Sequence, residues 1–322
     1  MQEILEKMKG KLRLDHKAYS TEQAYLKWLE RYIKFNPRVP LEEREEAHVE
    51  EFLTFLAVTE KVSAKTQNQA LNAMIYLYKK VLEKELKDLN AFRANESRYL
   101  PTVLTTGEVA KIIECSNPKY RILIQLLYSA GLRRNELLRL RVQDIDFGQK
   151  KIIVRRAKGD KDRCTLLAPS LEAHLKRILV KREELHEKDL KDGVGSVYLP
   201  HALDKKFPNA KNEFKWQYFF PSPVLSTDPR SGIKRRHHLH FQTLQRAIRE
   251  ATKKAKVAKY VTTHTFRHSF ATHLLENRHD IRTVQELLGH ADLKTTMIYT
   301  HVIKNSFMGV ESPFESIGRP GL

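Results

Sequence analysis

The sequence predicts a mostly α-helical protein with one small antiparallel β-sheet, divided into two domains. Three observations lead there. The chain has 322 residues, enough to bury two separate hydrophobic cores. Apolar residues recur at three- and four-residue spacing through most of its length, as amphipathic helices require. One short region near the middle breaks that spacing and reads as strands joined by turns.

In chain order, the helical character runs from about Ser20 to Leu89. Ser20-x-x-Gln23 has the pattern of a capping box, followed by Tyr25, Leu26, Leu29 and Ile33 on one face. Ser63 is a candidate N-cap for a clearer helix, in which Leu71, Met74, Ile75, Tyr78 and Leu82 form the apolar stripe. Lys65, Gln67 and Asn68 occupy its polar early turns, a face that suits either a DNA major groove or plain solvent. The periodicity lapses around Arg98-Tyr99-Leu100-Pro101, and the proline biases its predecessor toward extended backbone. The expected division is a helical domain at 1–94, a linker at 95–106 and a second domain at 107–322.

The second domain opens with a helix around Tyr120–Tyr128, which passes through Gly131 into another at Asn135–Leu140. Asp144–Phe147, Lys151–Arg155 and Thr165–Leu167 read as the strands of the small sheet, with Lys158 in the tight turn between the last two. A segment from about 193 to 240, rich in Gly, Pro and aromatics with a basic end, reads as an insertion carrying a short helix. Helices resume at about Phe241–Ala255, after Thr263, and at Ile281–Leu288, where Gly289 is a C-terminal cap. The tail at about 302–322 contains Phe307, Met308, Val310 and Phe314, suited to docking on a neighbouring subunit or to remaining a loose end.

Composition narrows the function. Hydrophobic residues at 41% and charged residues at 30% describe a globular protein. Lys and Arg total 58 against 39 Asp and Glu, and the resulting +19 favours a polyanionic partner, nucleic acid first. No apolar run approaches the roughly 20 residues that span a bilayer, and the first residues lack the apolar core of a signal peptide, so the expected location is cytoplasmic, acting at the nucleoid. Cys115 and Cys164 form no CxxC pair, which argues against a disulfide framework or a cysteine-based zinc site.

The chemistry-bearing residues form an ordered set. Helical spacing in His264-Thr265-Phe266-Arg267-His268 puts an imidazole and a guanidinium on one face, able to converge on an anion. Leu288-Gly289-His290 and Tyr299 follow, while Gly131-Leu132-Arg133-x-x-Glu136 and the turn lysine Lys158 precede. Each alone has an ordinary reading as an ion pair, a hydrogen-bonded histidine or a packed ring. Together, in this order and spacing, they resemble the tyrosine recombinase family, and the likeness covers the whole second domain.

The resemblance implies a helical, SAM-like core-binding domain joined to an α+β catalytic domain, and an enzyme that cuts and rejoins DNA with neither metal nor ATP. Tyr299 is then the nucleophile. Arg133 and Arg267 neutralise the nonbridging phosphate oxygens, His290 adds a donor beside them, Lys158 protonates the leaving 5′ oxygen, and His264 orients or deprotonates the tyrosine. The requirements are physically sound: phosphoryl transfer needs a nucleophile, charge neutralisation and a proton donor, and no paired carboxylates suited to metal ions are evident.

The insertion also resembles a branch of that family. Ala202-Leu203-x-x-Lys206-Phe207-Pro208-Asn209-Ala210, Trp216-Gln217-Tyr218-x-Phe220-Pro221-Ser222, Asp228-Pro229-Arg230-Ser231-Gly232 and Arg236-His237-His238 are similar to the integron integrases. That likeness implies recombination of gene-cassette attC sites, folded from one strand, with attC or double-stranded attI sites, by a tetramer assembled from monomers. Trp216 and the imidazoles of His237 and His238 suit stacking on unpaired bases, with Arg235 and Arg236 supplying backbone charge, although Trp216, Tyr218 and Phe220 equally suit anchoring the insertion to a core. A zinc site from His237, His238 and His240 lacks a matching pair at finger spacing. The other readings are a Xer- or phage-type recombinase on duplex sites, a type IB topoisomerase, and a catalytically silent DNA-binding protein of the same fold.

Overall fold

A computed structural model describes residues 1–85, 93–95, 101–155, 162–199 and 203–305. The chain divides into two compact units, Met1–Tyr99 and Leu100–Leu322.

The first unit is built from helices α1 (Gln2–Leu14), α2 (Tyr19–Phe35), α3 (Glu46–Thr54) and α4 (Ala64–Tyr76). Met8, Leu12, Leu29, Tyr32, Phe52, Leu56, Leu71 and Met74 make its core, each at the helical spacing that faces inward. The cap expected at Ser20 is absent. α2 starts two residues earlier than that cap would place it, with Ala18 at its N-cap, so Ser20 lies inside the first turn. Ser63 does cap α4, its hydroxyl accepting from the Thr66 amide at 3.3 Å. α1 was not anticipated.

Arg44 closes the other end of α2. Its buried guanidinium donates to the carbonyls of Tyr32 (2.6 Å), Ile33 (3.2 Å) and Val39 (3.0 Å), and to that of Asn36. Carbonyls at a helix C-terminus have no intrahelical partner, and five fixed N–H donors satisfy several at once.

The second unit packs α5 (Thr106–Cys115), α6 (Pro118–Ser129), α7 (Arg134–Leu138), α10 (Phe241–Lys254) and α11 (Thr263–Glu276) around one core centred on Ile124, Leu127, Leu137, Leu244, Ile248 and Phe266. Against it lies the sheet of β1 (Ile145–Asp146), β2 (Lys151–Val154) and β3 (Arg163–Leu166), antiparallel in the order β1-β2-β3. Ile152 pairs with both Ile145 and Thr165, and the Thr165 hydroxyl donates to the Ala130 carbonyl at 2.8 Å, tying the sheet to the end of α6. α11 is buried on nearly every side, including Thr265, Arg267, Ser269 and Thr272. α12 (Ile281–Leu288) and α13 (Leu293–Asn305) complete the unit.

Between the sheet and α10 the chain forms α8 (Pro169–Lys191), entered through a proline whose missing N–H costs a first turn nothing. Its buried face changes character along its length, from Leu171 and Leu175 to Arg182, His186 and Asp189. The polar half receives the expected insertion. Arg182 donates to the Tyr218 carbonyl (2.9 Å), His186 meets the Asn212 carbonyl (2.9 Å), and Asp189 pairs with Arg236 (2.6 Å). The insertion contains the short helix α9 (Leu203–Lys206) and an unanticipated hairpin of β4 (Pro221–Thr227) and β5 (Lys234–His238). Its root is fixed by backbone bonds from Val142 to Gln217 (3.0 Å) and from Phe219 to Leu140 (2.7 Å).

Candidate active site

Two glycines set the local geometry. Gly131 follows α6 with φ +58°, and a Cβ there would lie 2.4 Å from the Phe270 ring. Gly289 ends α12 with φ +63°, and its Cβ would lie 2.5 Å from Arg163. Both positions need left-handed backbone and no side chain, which glycine alone supplies without strain. The first turn delivers Arg133 to the start of α7, and the second delivers His290 to the loop before α13.

A single carboxylate organises the cationic groups. Glu136 accepts from Arg133 (2.8 Å) and from both terminal nitrogens of Arg163 (2.7 and 2.9 Å), with Arg267 at 3.8 Å. Its backbone contact with the Arg133 amide (2.8 Å) is also the cap of α7. Burial works to raise the pKa of Glu136, but the hydrogen bonds and charges of Arg163 and Arg133 overcome it and hold the group down to about 2. Among the described residues, three guanidinium cations face one carboxylate here, a surplus of two positive charges.

Arg267 is 3% exposed, yet fully directed. It donates to the carbonyls of Gly131 (2.6 Å) and Leu288 (2.5 Å) and to His290 Nε2 at 3.2 Å. Burial, followed by the proximity of Arg133, lowers its pKa to about 9, still cationic at neutral pH. Because a guanidinium only donates, His290 Nε2 must accept, so its ring proton is assigned to Nδ1, 2.9 Å from the Thr296 hydroxyl. Burial and the neighbouring arginines hold His290 neutral, with its pKa pushed down to about 3. In this arrangement the ring therefore accepts at Nε2, where the sequence reading expected a donor.

Tyr299 projects from α13 into the same cluster and is 3% exposed, packed among Phe270, Ala271, Val284 and Leu288. Its ring stacks near that of His290 (6.3 Å, 16°), and its hydroxyl lies 3.1 Å from His268 Nδ1. Burial raises its pKa, while Arg267 and Arg133 work in the opposite direction. His264, expected to serve the phenol, is exposed, with its ring 6.3 Å from that of His268. Lys158 lies outside the described residues. Arg133, Arg267, His290 and Tyr299 are thus gathered in one cluster with two groups to which sequence reasoning gave no role, Arg163 and His268.

Residues 102–306 match the model of the phage integrase family, and residues 4–88 match that of a phage integrase N-terminal SAM-like domain. An integrase/recombinase of Escherichia coli is 44% identical over 315 residues, which is 98% of this chain and 94% of the relative. The chain belongs to the phage integrase family. Tyrosine recombinase XerA of Pyrococcus horikoshii is 32% identical over 304 residues, covering 93% of this chain and 89% of that one. Two solved structures share the fold: XerH site-specific recombinase bound to palindromic difH substrate (24% identity, TM-score 0.60, 91% of this chain and 80% of that one) and a lambda integrase dimer bound to a COC′ core site (17%, TM-score 0.60, 93% and 94%). As a phage integrase family member, the protein is a site-specific tyrosine recombinase that cleaves and religates DNA.

In this recombinase most residues expected to touch DNA outside the catalytic cluster have internal partners. Asn68 is 5% exposed, its side chain donating to the Ala94 carbonyl (3.0 Å) and accepting from the Ala94 amide (2.9 Å), so it fastens α4 to the segment that follows instead of facing a groove. Lys65 is exposed and Gln67 half-buried on the same helix. Arg235 bonds Ser231 (2.7 Å) and pairs with Asp228 (3.4 Å). Arg236 makes a two-pronged bond to Asp189 (2.6 and 2.7 Å) and donates to the carbonyls of Ser222 and Pro223. These donors hold the hairpin together rather than standing free for phosphate. Tyr218 and Phe220 are buried anchors, Trp216 packs half-buried on the Val197, Leu199 and Tyr218 cluster, and His237 and His238 flank the Tyr218 ring at 5.2 and 5.3 Å. Among the described residues no group of three or more metal-binding side chains is assembled, and no helix is long and apolar enough to cross a membrane.

Proposed function

We propose that the protein is an integron integrase, joining folded single-stranded attC sites with attC or double-stranded attI sites through a 3′-phosphotyrosyl bond to Tyr299. Arg133 and Arg267 bind the nonbridging oxygens, His290 lines the same pocket, and Lys158 protonates the leaving 5′ oxygen. The phosphotyrosyl bond retains the energy of the broken linkage, so a free 5′ hydroxyl can reseal it without ATP. The working assembly is a homotetramer formed from monomers on DNA.

The observation that carries the chemistry is the convergence of Tyr299 on a cluster with two surplus positive charges, which suits a phosphodiester and its more highly charged transition state. The substrate class rests on the 193–240 segment. It is a separate element, rooted on α8 and the Arg141–Tyr218 bridge, with exposed Phe207, Val224 and Ile233 and the half-buried Trp216 available to unpaired bases. Likeness to XerA supports a second reading, recombination of ordinary duplex sites.

Incubation with a labelled attC bottom-strand hairpin, its top-strand counterpart and the duplex separates the two. A Tyr299-dependent, denaturant-resistant adduct that favours the bottom strand is expected; adducts on duplex alone would establish the Xer-type reading instead.

A further inference from the structure

The phenolic proton of Tyr299 has to leave as its oxygen attacks phosphorus, so whatever accepts that proton shares in the chemistry. Two imidazoles, His268 and His290, come near the phenol, and a third, His264, lies beside His268. His290 has both ring nitrogens engaged, Nε2 accepting from Arg267 and Nδ1 directed at Thr296. His264 is exposed on the first turn of α11. His268, one turn further along, places Nδ1 3.1 Å from the Tyr299 hydroxyl, with the two rings 5.6 Å apart. With the phenol assigned as the donor, the direction proton transfer requires, Nδ1 is the unprotonated acceptor and the ring proton of His268 is placed on Nε2.

We propose that His268 is a further catalytic residue, accepting the proton of Tyr299 during strand cleavage and returning it during rejoining. The inference rests on Tyr299 being the nucleophile. In cleavage the Tyr299 O–H bond breaks and its proton passes to His268 Nδ1, forming an imidazolium. The phenolic oxygen bonds to phosphorus as the bond from phosphorus to the 5′ oxygen breaks, and Lys158 protonates that departing oxygen. Rejoining reverses each transfer, the 5′ hydroxyl returning its proton to Lys158 and the imidazolium restoring the phenol. Nothing is oxidised or reduced.

The surroundings suit a group that must begin as free base. Burial, then His264 and Arg267, hold the His268 pKa down to about 4, so the ring is neutral before substrate arrives. A bound phosphodiester offsets the arginine charge and strengthens the imidazole as a base where the proton must move.

The test measures single-turnover adduct formation on the attC hairpin and the duplex, each made with the natural 5′-bridging oxygen or with sulfur, a leaving group that needs no protonation. His268→Asn keeps an acceptor near the phenol but cannot carry the proton away. It should slow adduct formation by about 100-fold or more on both oxygen and sulfur substrates, and His264→Asn should slow it less. Incorporating a difluorinated, more acidic tyrosine at position 299 should restore most of the rate lost in His268→Asn. A rate within about threefold of the unmodified protein, or a loss that the acidic phenol does not rescue, would overturn the assignment. An adduct that persists in Tyr299→Phe would remove the nucleophile reading beneath it, a separate outcome.

Discussion

Arginine is concentrated in two regions of the second unit, and the two use it differently. In the 193–240 segment Arg235 has Asp228, and Arg236 has Asp189, so each of these cations is matched by its own carboxylate, the first pair within the hairpin and the second holding it to α8. Around α7 and α11, Arg133, Arg163 and Arg267 share the single carboxylate of Glu136 among the described residues. The first arrangement is neutral and structural. The second keeps a surplus of positive charge in a mostly buried place, which is costly until an anion arrives and valuable when it does. The comparison teaches that the ratio of cations to carboxylates, more than the number of arginines, separates a phosphate site from a folding element.

The largest effect expected from breaking this contrast is at Glu136. Glu136→Gln leaves three guanidinium groups crowded without their counter-charge and should cost about 3–5 kcal/mol in urea unfolding. The pH dependence has a definite sign. The folded-state pKa is depressed to about 2, so the stabilisation is present above the unfolded value, near 4.5, and is lost as pH falls from there through 2. Unfolding titrations should show this acid-labile component in the unmodified protein and not in Glu136→Gln. If the two stability profiles run parallel, the carboxylate is not the anchor of the cluster.

At the insertion the matched pair should behave differently. Arg236→Met alone strands the buried Asp189 and should cost about 2–4 kcal/mol, read as faster proteolysis within 221–238, while Arg236→Met with Asp189→Leu should recover most of the loss. Adduct formation on duplex DNA should stay near normal in both variants. A comparable loss of duplex cleavage would show that the two regions are not separate in function.

The same contrast, on a smaller scale, distinguishes neighbours on α4. Asn68→Ala should destabilise the first unit by about 1–3 kcal/mol, since it leaves both the amide and the carbonyl of Ala94 without their partner. Lys65→Ala should leave stability unchanged and lower the slope of log affinity against log salt by about 0.9. A salt slope that moves with Asn68 and not with Lys65 would reverse the roles given to the two side chains.

Much of the site was legible because its signals are local. Gly131 and Gly289 mark turns that no other residue makes without strain, and each delivers a neighbouring functional side chain, so the sequence spacing of Gly131-Leu132-Arg133 and Leu288-Gly289-His290 already carries geometry. Arg163 carried no such mark. It reads as an ordinary strand residue, and its partners, Glu136 and Leu287, lie 27 and 124 residues away. His268 stood within a recognised motif, but helical spacing could not decide which imidazole of α11 would meet a tyrosine 31 residues later. The 23-residue α8 escaped notice because its inward face turns from leucine to Arg182, His186 and Asp189, which hides the apolar period. The hairpin escaped because its strands alternate no apolar face. The donors of Arg236 and Asn68 looked available because their partners, Asp189 and Ala94, are remote in sequence, and that of Arg235 because its partners Ser231 and Asp228 meet it only through the hairpin.

The central claim is that Tyr299, held against the cationic cluster, is the atom source of the protein–DNA bond. Trapping the covalent complex on a nicked substrate, digesting it and locating the phosphate-bearing peptide by mass spectrometry tests this directly. The account predicts a phosphotyrosine at Tyr299 joined to a 3′ nucleotide, absent from Tyr299→Phe; a modification on any other side chain, or an undiminished adduct in that variant, would contradict it.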